Sequence, residues 1–396
     1  MKTHALHRDR LTWLAYLMLA FYGYFLNVLG PITPFLQDEL RLTYTVSSLH
    51  FTAFAAGILL VGFGGHLVVQ RIGRWGSLWI GAAGVSLNAL LLLLGRHPAI
   101  TIGASFLMGL IGSLILTIVP AALSDRHGER RAVALSEANI ISSTVSTAAP
   151  LMVGWFAREL GSWRLALGVA ALAPIVLFVS LGKDASPAAA AEVPRPATAR
   201  RSLPALFWIN WLGLVLAISI EFCMIFWSAN YLEGVLGMPK AGAAQAVSLF
   251  LAAMILGRVA GSRLVGRFSP GRLVAAADLL AFAGFLVFWR TGSVGAGLVG
   301  LFLTGLGVAN LYPLILSQAM GAAADRAVRA SARATLASGT AILALPLALG
   351  RLADLIGLRP AYGVVALLLV SVLIMGGVAR WLARAQERGA AVFRSG

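Results

Sequence analysis

Charge is scarce in this sequence. Of its 396 residues, 12% are Asp, Glu, Lys or Arg, whereas 59% are hydrophobic. A soluble domain carries about 25% charged residues, so a chain with half that fraction has too little polar surface to coat a water-facing globule. The shortage excludes an ordinary soluble fold and indicates that lipid surrounds much of the chain.

Cysteine and the usual signatures of catalysis are also missing. Cys223 is the single cysteine, which excludes an intrachain disulfide framework. The six histidines are scattered, and neither a Gly-x-x-x-x-Gly-Lys-Ser/Thr phosphate loop nor a nucleophile–base set is found. The sequence therefore predicts no enzyme activity, no bound metal and no cofactor.

The charge that is present is basic, with 31 Lys and Arg against 15 Asp and Glu. These residues lie in short gaps between apolar stretches and not in one stripe, which argues against nucleic acid as a partner. When the N-terminus is placed in the cytoplasm, most of them fall in cytoplasmic segments, as the positive-inside rule requires. We therefore predict a multi-pass protein of the cell membrane, the inner membrane of a bacterium, with both termini cytoplasmic.

Twelve apolar stretches meet or approach the roughly 20 residues that cross about 30 Å of hydrocarbon. A gap rich in Ala and Pro, residues 183–204, divides them six and six and is interpreted as a flexible cytoplasmic linker. The predicted fold is an all-α integral membrane protein with six-helix bundles at 1–182 and 205–396. The predicted spans are 11–36, 44–69, 76–95, 98–123, 132–156, 163–182, 205–231, 241–264, 272–289, 294–319, 332–352 and 360–382.

The two halves match at a constant offset of 196 residues. Gly109 corresponds to Gly305 within a shared Phe-Leu-x-Gly-Leu pattern, and Pro150 corresponds to Pro346. A common offset without gaps indicates duplication of a six-helix unit. Parallel repeats of this kind place a substrate site near the membrane midplane, between the halves.

The segment after the second stretch contains Arg71, Gly73 and Arg74. With the six-plus-six architecture, it resembles the Gly-x-x-x-Asp-Arg-x-Gly-Arg-Arg loop of the major facilitator superfamily, although Gln70 stands where the family has the acid. The resemblance covers the whole chain and implies a secondary transporter that works by alternating access. It also implies that Arg71 and Arg74 latch the halves through charge pairing, with Gln70 replacing the acid as a hydrogen-bonding partner or the latch being lost.

Glu221 is the leading candidate for chemistry. It lies about 15 Å from the nearer end of the seventh stretch, at 1.5 Å per residue, and a charged side chain near the midplane costs about 3 kcal/mol. Asn210 and Ser228 share its helical face. We interpret Glu221 either as an acid that couples transport to protons or binds substrate, or as a structural partner of another helix, for instance of Arg258.

Three further charged residues within apolar stretches have structural interpretations. Asp278 is expected to pair with a neighbouring arginine, Arg258 to reach the interface or pair with an acid, and Glu137 to favour the start of its helix. A cytoplasmic gate between Glu137 and Arg333, or a substrate contact at Arg258, is the alternative. Polar and aromatic residues suited either to line a cavity or to join helices are Tyr24, Asn27, Asn139, Trp227, Asn230 and Asn310.

The sequence as a whole predicts a monomeric secondary transporter of a small organic solute, coupled to protons and embedded in the lipid bilayer. Uptake and efflux both remain open. The alternative is a non-transporting membrane sensor or assembly protein on the same fold.

Overall fold

The computed structural model describes residues 8–182, 203–265, 267–323 and 327–395, so most of the predicted linker lies outside the described residues. Within these ranges the regular structure is helical, apart from one isolated bridge between Val265 and Phe268. The helices are α1 Arg10–Leu40, α2 Tyr44–Leu94, α3 Pro98–His127, α4 Arg131–Glu159, α5 Arg164–Ala171, α6 Ala173–Leu177, α7 Ala205–Gly234, α8 Lys240–Leu264, α9 Pro270–Arg290, α10 Val294–Val308, α11 Leu311–Ala322, α12 Ala327–Ile356 and α13 Leu358–Ser395.

Membrane-spanning helices dominate the described part of the chain, where 11 segments are long and apolar enough to cross a bilayer. The longest, Pro98–Glu159, has 62 residues and contains two of the twelve predicted spans. They run together because the 3-10 turn Gly128–Arg130 joins α3 directly to α4. The predicted all-α membrane fold is thus confirmed.

The predicted spans 44–69 and 76–95 correspond to two membrane-length segments, Tyr44–Gly65 and Leu67–Leu94. Both lie in α2, which is kinked at Gly73, where φ is 82°; glycine adopts that conformation without strain. The predicted span 294–319 lies in one membrane-length segment, Val294–Ala322, which the structure divides into α10 and α11 around Ala309 and Asn310. Pro313 explains the division, since its ring clashes with the carbonyl four residues earlier, at Ala309.

Glycines set the closest helix contacts. A Cβ added to Gly109 in α3 would collide with the Phe54 carbonyl oxygen of α2. At the same offset, a Cβ added to Gly305 in α10 would lie 2.6 Å from the Phe250 carbonyl oxygen of α8. Small residues allow membrane helices to approach at the backbone, and this contact recurs at the offset of 196 residues in both halves.

The chain forms two compact units. The first contains α1 to α6 together with Ser228–Glu233 at the end of α7 and Met238–Ser248, which includes the start of α8. The second contains the rest of α7 and α8 with α9 to α13. The ends of α7 and α8 that face their connecting turn therefore pack with the first six-helix sequence.

Asp9 fixes the start of α1. Its carboxylate accepts hydrogen bonds from the Thr12 backbone N–H at 2.9 Å and the Thr12 hydroxyl at 2.6 Å, and it lies 2.5 Å from the Arg126 guanidinium. Burial raises the pKa of this carboxyl, but the bonds from Thr12 and the charge of Arg126 outweigh that effect and hold the pKa below its ordinary value of 3.8.

We predict that Gly109→Ala destabilises the protein by about 1–3 kcal/mol, because α2 and α3 must separate to admit the methyl group. The measurement is thermal unfolding of the purified protein in detergent. Gly103→Ala in the same helix is the matched control, since a Cβ there meets nothing within 4 Å. Equal unfolding temperatures for the two variants would contradict the packing argument.

We predict that Asp9→Asn keeps the helix cap but loses the ion pair with Arg126, at a cost of up to about 1 kcal/mol near neutral pH. Because the folded-state pKa is depressed, the charged contribution is present above the ordinary pKa and is lost as the pH falls through the lower folded value. The stability difference between wild type and variant should therefore shrink in acid. A difference that stays constant down to strongly acidic pH would refute this account.

Candidate functional site

A charge pair in the second unit joins the middle of α7 to the last third of α8, where Arg258 lies six residues before Leu264. The Glu221 carboxylate lies 3.9 Å from the Arg258 guanidinium, and their side chains are 19% and 46% exposed. Glu221 lies about 20 Å from the Gly234 end of α7 and about 24 Å from the Ala205 end, at 1.5 Å per residue. An acid at mid-helix is thus paired with a cation that remains accessible.

The strength of this pair matches what either charge costs alone. At 3.9 Å and an effective dielectric constant of about 20, two unit charges attract by at most about 4 kcal/mol, less where solvent reaches Arg258. One charge at the centre of a membrane helix costs about 3 kcal/mol. Neutralising one partner therefore leaves the other charge without the attraction that offsets its cost.

The helix break beside this pair is fastened to α8. The Asn310 side-chain amide donates to the Gly257 carbonyl at 2.8 Å, and a Cβ on Gly261 would collide with the same amide group. Tyr312, two residues later, is an electrostatic neighbour of Glu221. The structure thus brings together Glu221, Arg258 and Asn310, and adds Tyr312, which the sequence analysis had not selected.

The polar candidates of the first six helices donate hydrogen bonds to backbone carbonyls of the first unit. Tyr24 donates its hydroxyl to the Ala166 carbonyl at 3.0 Å. Asn27 and Asn139 donate to carbonyls four residues back in their own helices, at 2.9 and 2.8 Å. Tyr24 and Asn27 are buried, whereas Asn139 is exposed, so of these three Asn139 has the side chain most open to a solute.

The aromatic and amide candidates of α7 lie towards its Gly234 end. Trp227 is fully buried, and its indole N–H donates to the Pro346 carbonyl of α12 at 3.2 Å. Asn230 belongs to the first unit, where its amide donates to the Gln37 side-chain carbonyl of α1. Asn230 therefore contributes to a contact of α7 with the end of α1.

That contact belongs to a polar cluster of the first unit at the end of α1, formed by Gln37, Asp38, Asn230, Glu233 and Lys240. We call this cluster the Leu40 end. The Lys240 ammonium pairs with Asp38 and lies 3.8 Å from Glu233. Further along α8 from Lys240, the Ser248 hydroxyl donates to the Thr147 carbonyl of α4 at 2.6 Å. Sequence reasoning did not select Asp38 or Lys240, because charges at helix ends give no signal of which distant helix they will meet.

Glu39, the neighbour of Asp38, has different partners. Its carboxylate pairs with Arg164 and accepts a hydrogen bond from the Trp163 indole N–H at 2.7 Å. Arg96 lies 3.4 Å away on the same side. The Arg164 guanidinium is 9% exposed and stacks 4.6 Å from the Trp163 ring centre. Glu39 thus attaches α1 to the start of α5.

At the opposite end of the first unit, Glu137 and Arg74 have partners that the sequence analysis did not name. Arg8 donates two hydrogen bonds to the Glu137 carboxylate, at 2.9 and 2.7 Å, and the Tyr16 hydroxyl donates a third at 3.0 Å. Arg74 pairs with Asp125 at the end of α3, which supplies an acid for the loop that lacks one. Arg71 is exposed.

In the second unit, the backbone carbonyl of Arg333 accepts the Trp211 indole N–H at 2.7 Å, and the Arg333 side chain is exposed. The expected ion pair of Asp278 was wrong. Its side chain is fully buried, and neither carboxylate oxygen has a hydrogen-bond partner among the described residues. The reason is the face on which it lies: a Cβ on Gly307 of α10 would collide with Ala277 and Ala281, so Asp278 faces the packed side of α9.

Comparison with known proteins gives the same architecture. An uncharacterised MFS-type transporter of Yersinia pestis is 31% identical over 167 residues, which are 42% of this chain and 44% of that protein; the chain thus matches less than half of that relative. The multidrug resistance protein MdtL of Escherichia fergusonii is 25% identical over 333 residues, covering 82% of this chain and 84% of that protein.

Solved structures agree on the fold. A bacterial homologue of the human lysosomal transporter Spinster, in an inward-facing and occupied conformation, has a TM-score of 0.76 at 15% identity and covers 95% of this chain and 97% of that one. A peptide transporter POT mutant in complex with sulfate has a TM-score of 0.73 at 18% identity, covering 96% and 94%. The family model described as Major Facilitator Superfamily matches residues 15–339. With twelve predicted spans, a repeated six-helix unit and this match over most of its length, the chain belongs to the major facilitator superfamily of transporters.

Proposed function

We propose that this protein is a proton-coupled secondary transporter of a small organic solute, with Glu221 as the proton-binding residue. The observation that carries the proposal is the Glu221–Arg258 contact of 3.9 Å at mid-helix. A carboxyl group there is stable either as a carboxylate paired with Arg258 or as a neutral acid. These two states differ by one proton, which is what coupling requires.

The same proposal covers topology and mechanism. We place both termini in the cytoplasm from the distribution of Lys and Arg, which makes the Leu40 end the outer one. The segments 1–182 and 205–396 are proposed as two bundles joined by the linker 183–204, acting as a monomer by alternating access. Opening of the Leu40 end then requires Lys240 to leave Asp38 and Asn230 to leave Gln37.

We predict that Glu221→Gln removes proton-driven accumulation. In proteoliposomes containing the full chain, a panel of sugars, amino acids, carboxylates and lipophilic cations is tested with and without an imposed pH difference; the cations are included because MdtL is named a multidrug resistance protein. One proton per solute supplies about 1.4 kcal/mol, hence about tenfold accumulation, per pH unit. For the compound that the wild type accumulates, the variant should equilibrate at a ratio near one.

Two matched variants give this test its meaning. Glu159→Gln alters an exposed carboxylate that pairs with the adjacent Arg158 and should leave accumulation unchanged. Asp278→Asn alters an acid that is fully buried in α9 of the second unit. If accumulation survives Glu221→Gln and is lost in Asp278→Asn, the assignment to Glu221 is wrong; if nothing on the panel responds to a pH difference, proton coupling is wrong.

We predict that a covalent bridge across the Leu40 end blocks transport. Cys223 is buried and is the single cysteine, so Asp38→Cys and Lys240→Cys can be combined in a Cys223→Ser background. Bridging the pair with a short, cleavable bis-thiosulfonate should reduce transport by at least about tenfold, because the outer end cannot open. Cleaving the bridge with a reductant should restore activity.

Each single-cysteine variant, treated with the same reagent, is the control for modification without a bridge. Mass spectrometry measures the bridged fraction. Undiminished transport by fully bridged protein would show that this end does not open during the cycle.

A further inference from the structure

We propose that the transported solute carries one negative charge, on a carboxylate or a comparable monovalent acid group, which binds Arg258 when Glu221 is protonated. This inference rests on the proposed function and adds the chemical class of the substrate. No covalent step is involved: a proton binds the Glu221 carboxylate, and the solute anion takes the place of that carboxylate beside the guanidinium.

The charge balance of the pair is the first argument. With Glu221 ionised, the pair is neutral; with Glu221 protonated, Arg258 is a single unpaired cation in a membrane helix. A monovalent anion restores neutrality, a neutral solute leaves the cation uncompensated, and a cation adds repulsion. Proton and anion therefore favour each other's binding, which is positive thermodynamic coupling.

The accessibility and support of Arg258 are the second argument. Its side chain is 46% exposed although Glu221 lies 3.9 Å away, so part of the guanidinium remains open to a ligand. The backbone on either side is held, since Gly257 accepts the Asn310 amide and Gly261 packs against the same residue. Arginine binds carboxylate through two parallel hydrogen bonds, and a fixed helix position favours that geometry.

Among the described residues, neutral groups of the surrounding helices lie near the pair. From α11, Tyr312 is an electrostatic neighbour of Glu221. From α13, Tyr362 donates to the Cys223 carbonyl at 3.2 Å. From α12, the Arg333 backbone carbonyl accepts the Trp211 indole N–H, and the Arg333 side chain is exposed. The described part of α10 has no Asp, Glu, Lys, Arg or His.

The first turn of α11 adds to the positive potential. This 12-residue helix begins after Asn310 without a side-chain cap, and Asn310 itself contacts Gly257, the neighbour of Arg258. The amino end of a helix carries partial positive charge. This partial charge adds to the positive potential beside Arg258, and Arg258 remains the group that selects the anion.

Binding is tested with pairs of compounds that differ in charge alone. The purified full chain is mixed with a panel of aliphatic and aromatic monocarboxylates and with the corresponding primary amides, and thermal stabilisation is recorded at mildly acidic and mildly alkaline pH. At least one carboxylate should stabilise the wild type more than its amide, and more in acid. The Arg258→Gln substitution should weaken the affinity for that carboxylate by at least about tenfold. The Glu221→Gln variant should bind the carboxylate with equal affinity at both pH values.

The double variant Glu221→Gln/Arg258→Gln separates this role from a structural ion pair. It has no unpaired charge and should fold as the wild type does, yet it should not distinguish the acid from the amide. If no carboxylate outperforms its amide in the wild type, or if Arg258→Gln leaves the preference intact, the proposal is overturned.

Transport distinguishes failure of this inference from failure of proton coupling. One proton moving with one anion carries no net charge, so the pH gradient should drive uptake of the carboxylate, while a potential imposed with potassium and valinomycin should not. If a pH gradient drives uptake of a neutral sugar or of a lipophilic cation, and no carboxylate competes, the proposed function stands. The inference that the solute is an anion is then refuted. Absence of any gradient-driven transport would refute both.

Discussion

Helices in lipid gain little from burying apolar side chains against one another, because the surrounding hydrocarbon is as apolar as the interface. Close backbone contact has to hold the bundle instead. The approach of Gly109 to the Phe54 carbonyl, repeated by Gly305 and Phe250, is the clearest case in each unit. The position of every polar side chain on these helices depends on such contacts, since they set the helix spacing and rotation.

The distribution of charge follows from the same solvent. At the helix ends, ion pairs such as Glu137 with Arg8 and Arg74 with Asp125 connect helices where water reaches them. In the middle of the helices charge is rare; there Glu221, near the centre of α7, pairs with Arg258, six residues before the end of α8. In the proposed transport cycle, a pair whose attraction only balances the cost of its charges can be broken when Glu221 binds a proton. A more strongly stabilised pair would resist that step.

The sequence was sufficient for the fold because span length, charge distribution and duplication are properties of the chain itself. The sequence does not decide whether Pro313 bends or divides its span, because a proline in an apolar run is tolerated in some helices and ends others. Glu221 was selected as a candidate from its depth in the helix, and its role stays a prediction. Asp278 was misassigned because depth was inferred without the helical face, and the face is decided by the glycines of α10. The partners of Asp38 and Glu137 could not be predicted, since charges at helix ends meet residues more than a hundred positions away.

The two adjacent carboxylates at the end of α1 have one further consequence. Glu39 is bound to Arg164 and Trp163, whereas Asp38 is bound to Lys240. In the proposed cycle, the lysine can depart while the arginine and the tryptophan stay. The tip of α1 then keeps its position in both states, so opening breaks the contacts of Lys240 and Asn230 without refolding the helix end. Of these two neighbouring carboxylates, Glu39 thus forms the contact that persists through the proposed cycle, and Asp38 forms the contact that breaks.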